Sequence, residues 1–225
     1  MRKVWISQEG LKTIACLCML LDHIGTVLFS NVGLRIAGRL AFPVYCFLLT
    51  EGAAHTKNPR RYGLRLLIGA LISELPYDLL FFDGLSWEKQ NVMVTLLLGL
   101  WMINGLQKAE KSWQKLLLIA AFALIAEAVC ADYGAVGVLM IALFALTRDR
   151  AVQAAALALT GLLSSGLSVT VFGLDLPIQL FGVLAMVPIG LYAGQKRTSS
   201  RGLQWAFYLF YPAHLLALWM ILALQ

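Results

Sequence analysis

The sequence predicts an all-α fold: a polytopic transmembrane helix bundle of about nine helices with a cytoplasmic N-terminus. Three observations carry this expectation. Hydrophobic residues fill 60% of the 225 positions against 13% charged, and the mean hydropathy is +0.78, a composition too apolar for one soluble core. Apolar runs long enough to cross about 30 Å at 1.5 Å rise per residue follow one another along the whole chain. The basic residues gather in alternate connections between those runs, as in multi-pass proteins of a bacterial cytoplasmic (inner) membrane.

The first run, 11–31, has no small-x-small cleavage site after it, so it reads as a retained helix and not a removed signal peptide. The second, 36–53, contains Pro43, which deprives the carbonyl of Arg39 of its helical donor and predicts a kink there. A basic stretch with Arg60, Arg61 and Arg65 leads into the third, 63–82, which carries Glu74, Pro76 and Asp78. Runs at 91–107 and 115–131 follow, the latter with Glu127 expected at bilayer depth. The short run 134–147 pairs with its predecessor around Asp132-Tyr133-Gly134, which leaves the helix count between eight and ten. Runs at 152–171, 176–194 and 205–224 complete the set, the last with Pro212 and His214. No stretch reads as a soluble domain, and residues 1–225 are expected to form a single integral membrane domain.

Threading nine helices from a cytoplasmic N-terminus puts fifteen of the 18 basic residues inside, among them Lys12, Arg61 and Arg65. Only Arg35, Arg39 and Lys89 fall outside, a strong bias in the positive-inside sense. The net charge of +6 is then explained by topology and contact with anionic membrane lipid, and no nucleic-acid partner is called for. Cys16, Cys18, Cys46 and Cys130 all lie in apolar runs without Cys-x-x-Cys spacing. Cys16 and Cys18 point about 200° apart on a helix and cannot share a metal. No metal site is expected, and homo-oligomerisation is left open.

The polar residues at bilayer depth carry the chemistry. Asp22 and His23 stand near the middle of the first run, where an ionisable group costs on the order of 3 kcal/mol. Lys12 precedes His23 by eleven residues, close to three turns, so the two share a face that leads from the cytoplasmic rim to the imidazole. Asp22 points about 100° away from His23, and Arg39 or Arg35 are its nearest cations on another helix. The pair reads either as a polar clamp between helices or as a general base with its support. Arg61 and Arg65, four apart, share a face and suit either phosphate binding or simple anchoring at the inner rim. Glu74, Asp78 and Glu127 read as a ladder of carboxylates, which a proton-coupled transporter would show. His214 follows Pro212 by two residues and reads either as an interhelical hydrogen-bond partner or as part of a site.

The motifs Lys12-x3-Cys16…Asp22-His23, Gly38-Arg39-x-Ala41-Phe42-Pro43, Glu51-Gly52-x2-His55-Thr56, Tyr62-x2-Arg65-Leu66 and Glu74-x-Pro76-Tyr77-Asp78, with Asn91 opening the next helix, closely resemble the TraX family. Further on, Asp132-Tyr133-Gly134 and Tyr211-Pro212-x-His214 continue the resemblance. The family's namesake is associated with N-terminal acetylation of a conjugative pilin. The family is also similar to membrane acyltransferases that acetylate cell-surface sugars, which carry a basic residue eleven positions before an early histidine. The resemblance implies a transmembrane acetyltransferase that draws acetyl-CoA from the cytoplasm and serves an exported or lipid-linked acceptor.

Combined with the residue reading, it assigns Lys12, Arg61 and Arg65 to the coenzyme A phosphates. His23 becomes the base, or a transient acetyl carrier. Asp22, Arg39 and His214 orient it or stabilise the oxyanion. Two other classes remain alongside: a proton-coupled small-solute transporter and a non-catalytic assembly protein for surface appendages.

Overall fold

A computed structural model describes residues 6–164, 166–192, 194 and 201–224. Its helices are α1 (Gln8–Val27), α2 (Val32–Gly38), α3 (Ala41–His55), α4 (Pro59–Phe82), α5 (Val92–Leu106), α6 (Ser112–Ala128), α7 (Gly134–Leu146) and α8 (Arg150–Leu162). A 3-10 segment (Ile178–Ala185) then runs into α9 (Met186–Leu191), and α10 (Arg201–Ala223) closes the chain. Taking Val32–His55 and Ile178–Leu191 as continuous apolar rods, nine helical rods stand among the described residues, as the sequence led one to expect. Three of the described helices, Gln8–Val27, Val32–His55 and Gly202–Ala223, are each long and apolar enough to cross a membrane. Arg2, Lys3, Lys196 and Arg197, which contributed to the threading, lie outside the described residues.

Polar residues set the helix starts, because the first backbone N–H groups of a helix need acceptors. Ser7 accepts from Gly10 N at 3.1 Å, Asn31 from Leu34 N at 3.1 Å, Asn58 from Arg61 N at 2.9 Å, and Asp149 from Ala151 N at 2.8 Å. Pro59 occupies the first turn of α4, where its missing N–H costs nothing. The expected kink is present: α2 ends at Gly38 and α3 begins at Ala41, at the carbonyl four residues before Pro43.

Two boundaries differ from the sequence expectation. The run 152–171 ends as a helix at Leu162, and Ser168–Val171 (β1) pairs antiparallel with Leu174–Pro177 (β2) around Phe172-Gly173. Ser168-Val169-Thr170-Val171 is rich in β-branched residues, and Gly173 adopts φ +80°, the left-handed backbone that a tight hairpin turn requires. Apolarity alone does not separate such a segment from a helix end. The run 176–194 accordingly starts in β2 and becomes helical only at Ile178.

The chain divides into two compact units, residues 1–48 with 147–210 and residues 49–146 with 211–225. In the first, α1 packs on α2, and the 3-10 segment packs on α2 and α8. Its core includes Leu11, Ala15, Phe42, Val44, Phe47 and Ile189. In the second, α5 lies against α4, α6 and α7 and buries residues on every side, from Met93 to Leu106, as a central helix must.

Helix α4 shows the membrane pattern most clearly. Leu64, Leu67, Ile68, Leu71, Ile72 and Leu75 form an exposed stripe at helical spacing. The opposite face buries Gly63, Gly69, Ala70, Ser73 and Asp78. Apolar residues outward with small and polar residues inward is the arrangement lipid favours.

A close approach to backbone in the first unit is at Gly161, where an added Cβ would stand 2.6 Å from Leu180 Cα and 2.8 Å from its nitrogen. Backbone cannot swing aside as a side chain can. Gly161→Ala is expected to cost about 1–3 kcal/mol and to lower the thermal midpoint in detergent. Gly190→Ala, where nothing lies within 4 Å of the new Cβ, should leave it unchanged. Equal midpoints for both variants would refute the close approach.

Candidate functional site

The polar residues of the first unit converge where α1 meets α2. A Cβ on Gly38 would overlap Asp22, and one on Gly25 would come within 2.7 Å of Leu34 Cβ. These two glycines let the helices touch at backbone distance, which brings Asp22 to the end of α2. There the Arg39 guanidinium donates a short hydrogen bond to Asp22 Oδ2. Its Nε donates to the Arg35 carbonyl at 3.3 Å, so the side chain is held at both ends. Arg35 Nε stands 4.0 Å from Asp22 Oδ1. Arg39 is 8% exposed and the Asp22 side chain 15%, dry enough that each charge depends on the other. The sequence expectation that Asp22 would pair with Arg39 or Arg35 is met by Arg39, with Arg35 standing off at 4.0 Å.

His23 lies half-buried on the neighbouring face of α1. The helix is unbroken from Gln8 to Val27, so the eleven-residue register between Lys12 and His23 is preserved. That face is packed between the two: Cys16 and Met19, both buried, fill it, and Cys16 Sγ lies 3.2 Å from the Tyr45 hydroxyl. Lys12 Nζ sits 5.4 Å from the centroid of the Phe207 ring, a cation–π arrangement. The step from Lys12 to His23 is therefore a helix register, lined by packed side chains.

His214, Arg61 and Arg65 belong to the second unit. His214 is buried, with its ring 5.7 Å from that of Tyr211. Arg61 is exposed in the first turn of α4, and half-buried Arg65 lies 5.8 Å from the Tyr62 ring. Tyr62 in turn rests on Gly52, where a Cβ would fall 2.9 Å from its hydroxyl. A basic helix N-terminus of this kind attracts anions through both its side chains and its dipole.

The same unit contains a second polar centre that sequence reasoning did not assign to a site. Asn91 is fully buried; its amide donates to the Ala70 carbonyl at 2.9 Å and, by a short bond, to Glu74 Oε2, and its Oδ1 caps Met93 N at 3.0 Å. One side chain thus ties α4 to the start of α5. Nearby, Gln90 and Ala131 pair as a parallel bridge, and the Thr95 hydroxyl bonds the Asp132 carbonyl. Tyr133 and Gly134 take φ 62° and 44°, which makes the expected turn. Tyr77 lies within electrostatic reach of Glu74, Asp78 and Asp132, and Tyr211 within reach of Asp132, Tyr77 and Glu74. Four motifs far apart in sequence meet here. The available signal was Asn91 at the head of a mostly apolar run.

The carboxylate ladder does not form as expected. Glu127 is exposed, not buried; it accepts from Ala135 N at 2.6 Å and caps α7, with Gly134 leaving room for its carboxylate. Asp78, 2% exposed, accepts from Ser86 N at 3.1 Å and fastens the loop after α4. Both act on backbone amides that lack helical partners.

A helical membrane protein with charged and polar groups tied together between apolar helices is the class these features define. The chain matches the description "TraX protein" over residues 7–222 and belongs to that family. It is similar to the probable fimbrial assembly protein FimC, serogroup H1, of Dichelobacter nodosus, with 31% identity covering 95% of each chain. It is also similar to the uncharacterized protein RP591 of Rickettsia prowazekii (strain Madrid E), 33% identical over 41% of this chain and 34% of that protein. No solved structure matches.

Asp22→Asn should leave Arg39 buried without its carboxylate, at a cost of about 3–5 kcal/mol. The measurement is the thermal midpoint of the detergent-solubilised variant beside Glu9→Gln. A midpoint equal to wild type would show that the ion pair is not structural.

Proposed function

We propose that this chain acts in the cytoplasmic membrane, in the making of a fimbrial or similar surface appendage, by transferring an acetyl group from cytoplasmic acetyl-CoA to an exported or lipid-linked acceptor. The appendage part is supported by the name of the Dichelobacter nodosus relative, which is alike along nearly its whole length. The acetyl-transfer part is carried by one observation: half-buried His23 keeps its three-turn register with Lys12 on an unbroken helix, beside an Asp22 held by Arg39.

In this reading the acceptor amine or hydroxyl attacks the thioester carbonyl and His23 takes its proton. Coenzyme A leaves as the thiolate and is protonated in turn. Arg39 binds Asp22 and fixes the α1–α2 contact, which holds in place the stretch of α1 that carries His23. Lys12, at the cytoplasmic end of α1 in the proposed orientation, supplies fixed positive charge for the donor phosphates. Arg61 and Arg65 have the same proposed role at the start of α4, and His214 remains a proposed support in the second unit. The N-in, multi-pass topology and the acceptor's chemical class are part of this proposal.

A second reading, an appendage assembly protein without catalysis, is favoured by the same relative's name. The two separate cleanly by experiment. With purified protein in nanodiscs, labelled acetyl-CoA and a peptide amine, the enzyme reading expects transfer that falls about 10²- to 10⁴-fold in His23→Ala while the thermal midpoint stays near wild type. Acetyl transfer unaffected by His23→Ala would remove His23 from the mechanism. No binding of acetyl-CoA by the wild-type chain would leave the assembly reading in its place.

A further inference from the structure

We infer that Arg35 is a phosphate-binding residue, held in place by the α1–α2 contact and offering its guanidinium to a lipid phosphodiester. The inference does not depend on acetyl transfer. It starts from an imbalance: Asp22, a single carboxylate, faces two guanidinium groups. Arg39 takes the short bond to Oδ2. Arg35 is left at 4.0 Å from Oδ1, and both its Nε and that oxygen are buried without a hydrogen-bond partner. At that separation Arg35 gains long-range attraction but no hydrogen bond.

The side chain is nonetheless positioned. A Cβ on Gly25 would lie 3.2 Å from Arg35 Cγ, so the stem is laid against the α1 backbone. The side chain is 27% exposed while Nε is buried, which leaves the terminal nitrogens as its accessible donors. A planar fork of donors with a fixed stem suits bidentate phosphate oxygens. In the proposed orientation Arg35 is one of only three basic residues on the outer side, against the positive-inside bias. Arg39 is accounted for by Asp22. Arg35 needs another anion, and at a membrane rim the abundant oxyanion is the lipid phosphate.

The test titrates phosphatidylglycerol into the full-length protein in a non-ionic detergent and follows the thermal midpoint. Diacylglycerol, which lacks the phosphate, and inorganic phosphate are run in parallel. Wild type is expected to show a saturable rise with phosphatidylglycerol and none with diacylglycerol. Arg35→Gln should need roughly tenfold more lipid for half-saturation, the loss of about one charge-assisted hydrogen bond, and Arg35→Lys should fall between the two. If inorganic phosphate gives the same saturable, Arg35-dependent rise, the site still binds phosphate but a free anion, not the lipid headgroup, is its occupant. The inference is overturned if Arg35→Gln titrates like wild type or if wild type responds to neither phosphate probe. Should Arg35→Gln not fold, the same comparison rests on Arg35→Lys, and identical titration with wild type overturns it. His23→Ala should leave the lipid titration unchanged, so loss of acetyl transfer and loss of this site read out separately.

Discussion

Every polar group carried into an apolar layer must find its partner inside the protein, and this requirement organises the structure more than any single motif does. Its sharpest instance is the Asp22–Arg39 ion pair. An Asp inside an apolar helix is costly on its own; paired at hydrogen-bond distance with a guanidinium, it instead fixes where α2 must stop. Much else around α1 and α2 follows from bringing those two groups together. Gly38 must be small so that α2 can reach Asp22, and Gly25 must be small so that the turn at Asn31 can fold back. Pro43 ends the helical hydrogen bonding at Arg39, and Gly182 of the 3-10 segment packs near that carbonyl, which a Cβ added at Gly182 would approach to 3.4 Å. The kink, the glycines and the ion pair are one device.

The second unit solves the same problem with an amide. The Asn91 amide gives both its N–H donors, to Ala70 and Glu74, and its oxygen accepts from Met93 N. A carboxamide carries no net charge, so once its hydrogen bonds are made its burial costs less than a carboxylate's. Beside Asn91 the Gln90–Ala131 bridge joins the segments that follow α4 and α6.

What was legible in the sequence and what was not divides along physical lines. The nine rods were legible, because apolar runs of membrane length have few alternatives. So were the pairing of Asp22 with Arg39 and the turn at Tyr133-Gly134, since a buried charge demands a counter-charge and a tight turn demands glycine. The β1–β2 hairpin was not, because residues 152–171 form one largely apolar stretch whose break, Ser164-Ser165-Gly166, carries no proline or charge. Asn91 was noticed only as a motif member; its role depends on Ala70 and Glu74, a helix away. Arg35 was named as a partner for Asp22, yet its 4.0 Å stand-off is a property of packing that no spacing rule contains.

The carboxylates illustrate how position can mislead about chemistry. A proton relay needs groups whose partners can change as protons move, ideally a chain of ionisable side chains facing one another. Asp78 and Glu127 instead accept from backbone amides, Ser86 N and Ala135 N, donors that never titrate. Glu74 gives one oxygen to Asn91, another donor that does not titrate. Their common task is to satisfy N–H groups at helix ends and loops, which a membrane protein must do without help from water. His23 lies half-buried near the end of α1, next to Asp22, whose second oxygen has no hydrogen bond. The proposed chemistry is assigned to the histidine for its register with Lys12 and its place beside that carboxylate.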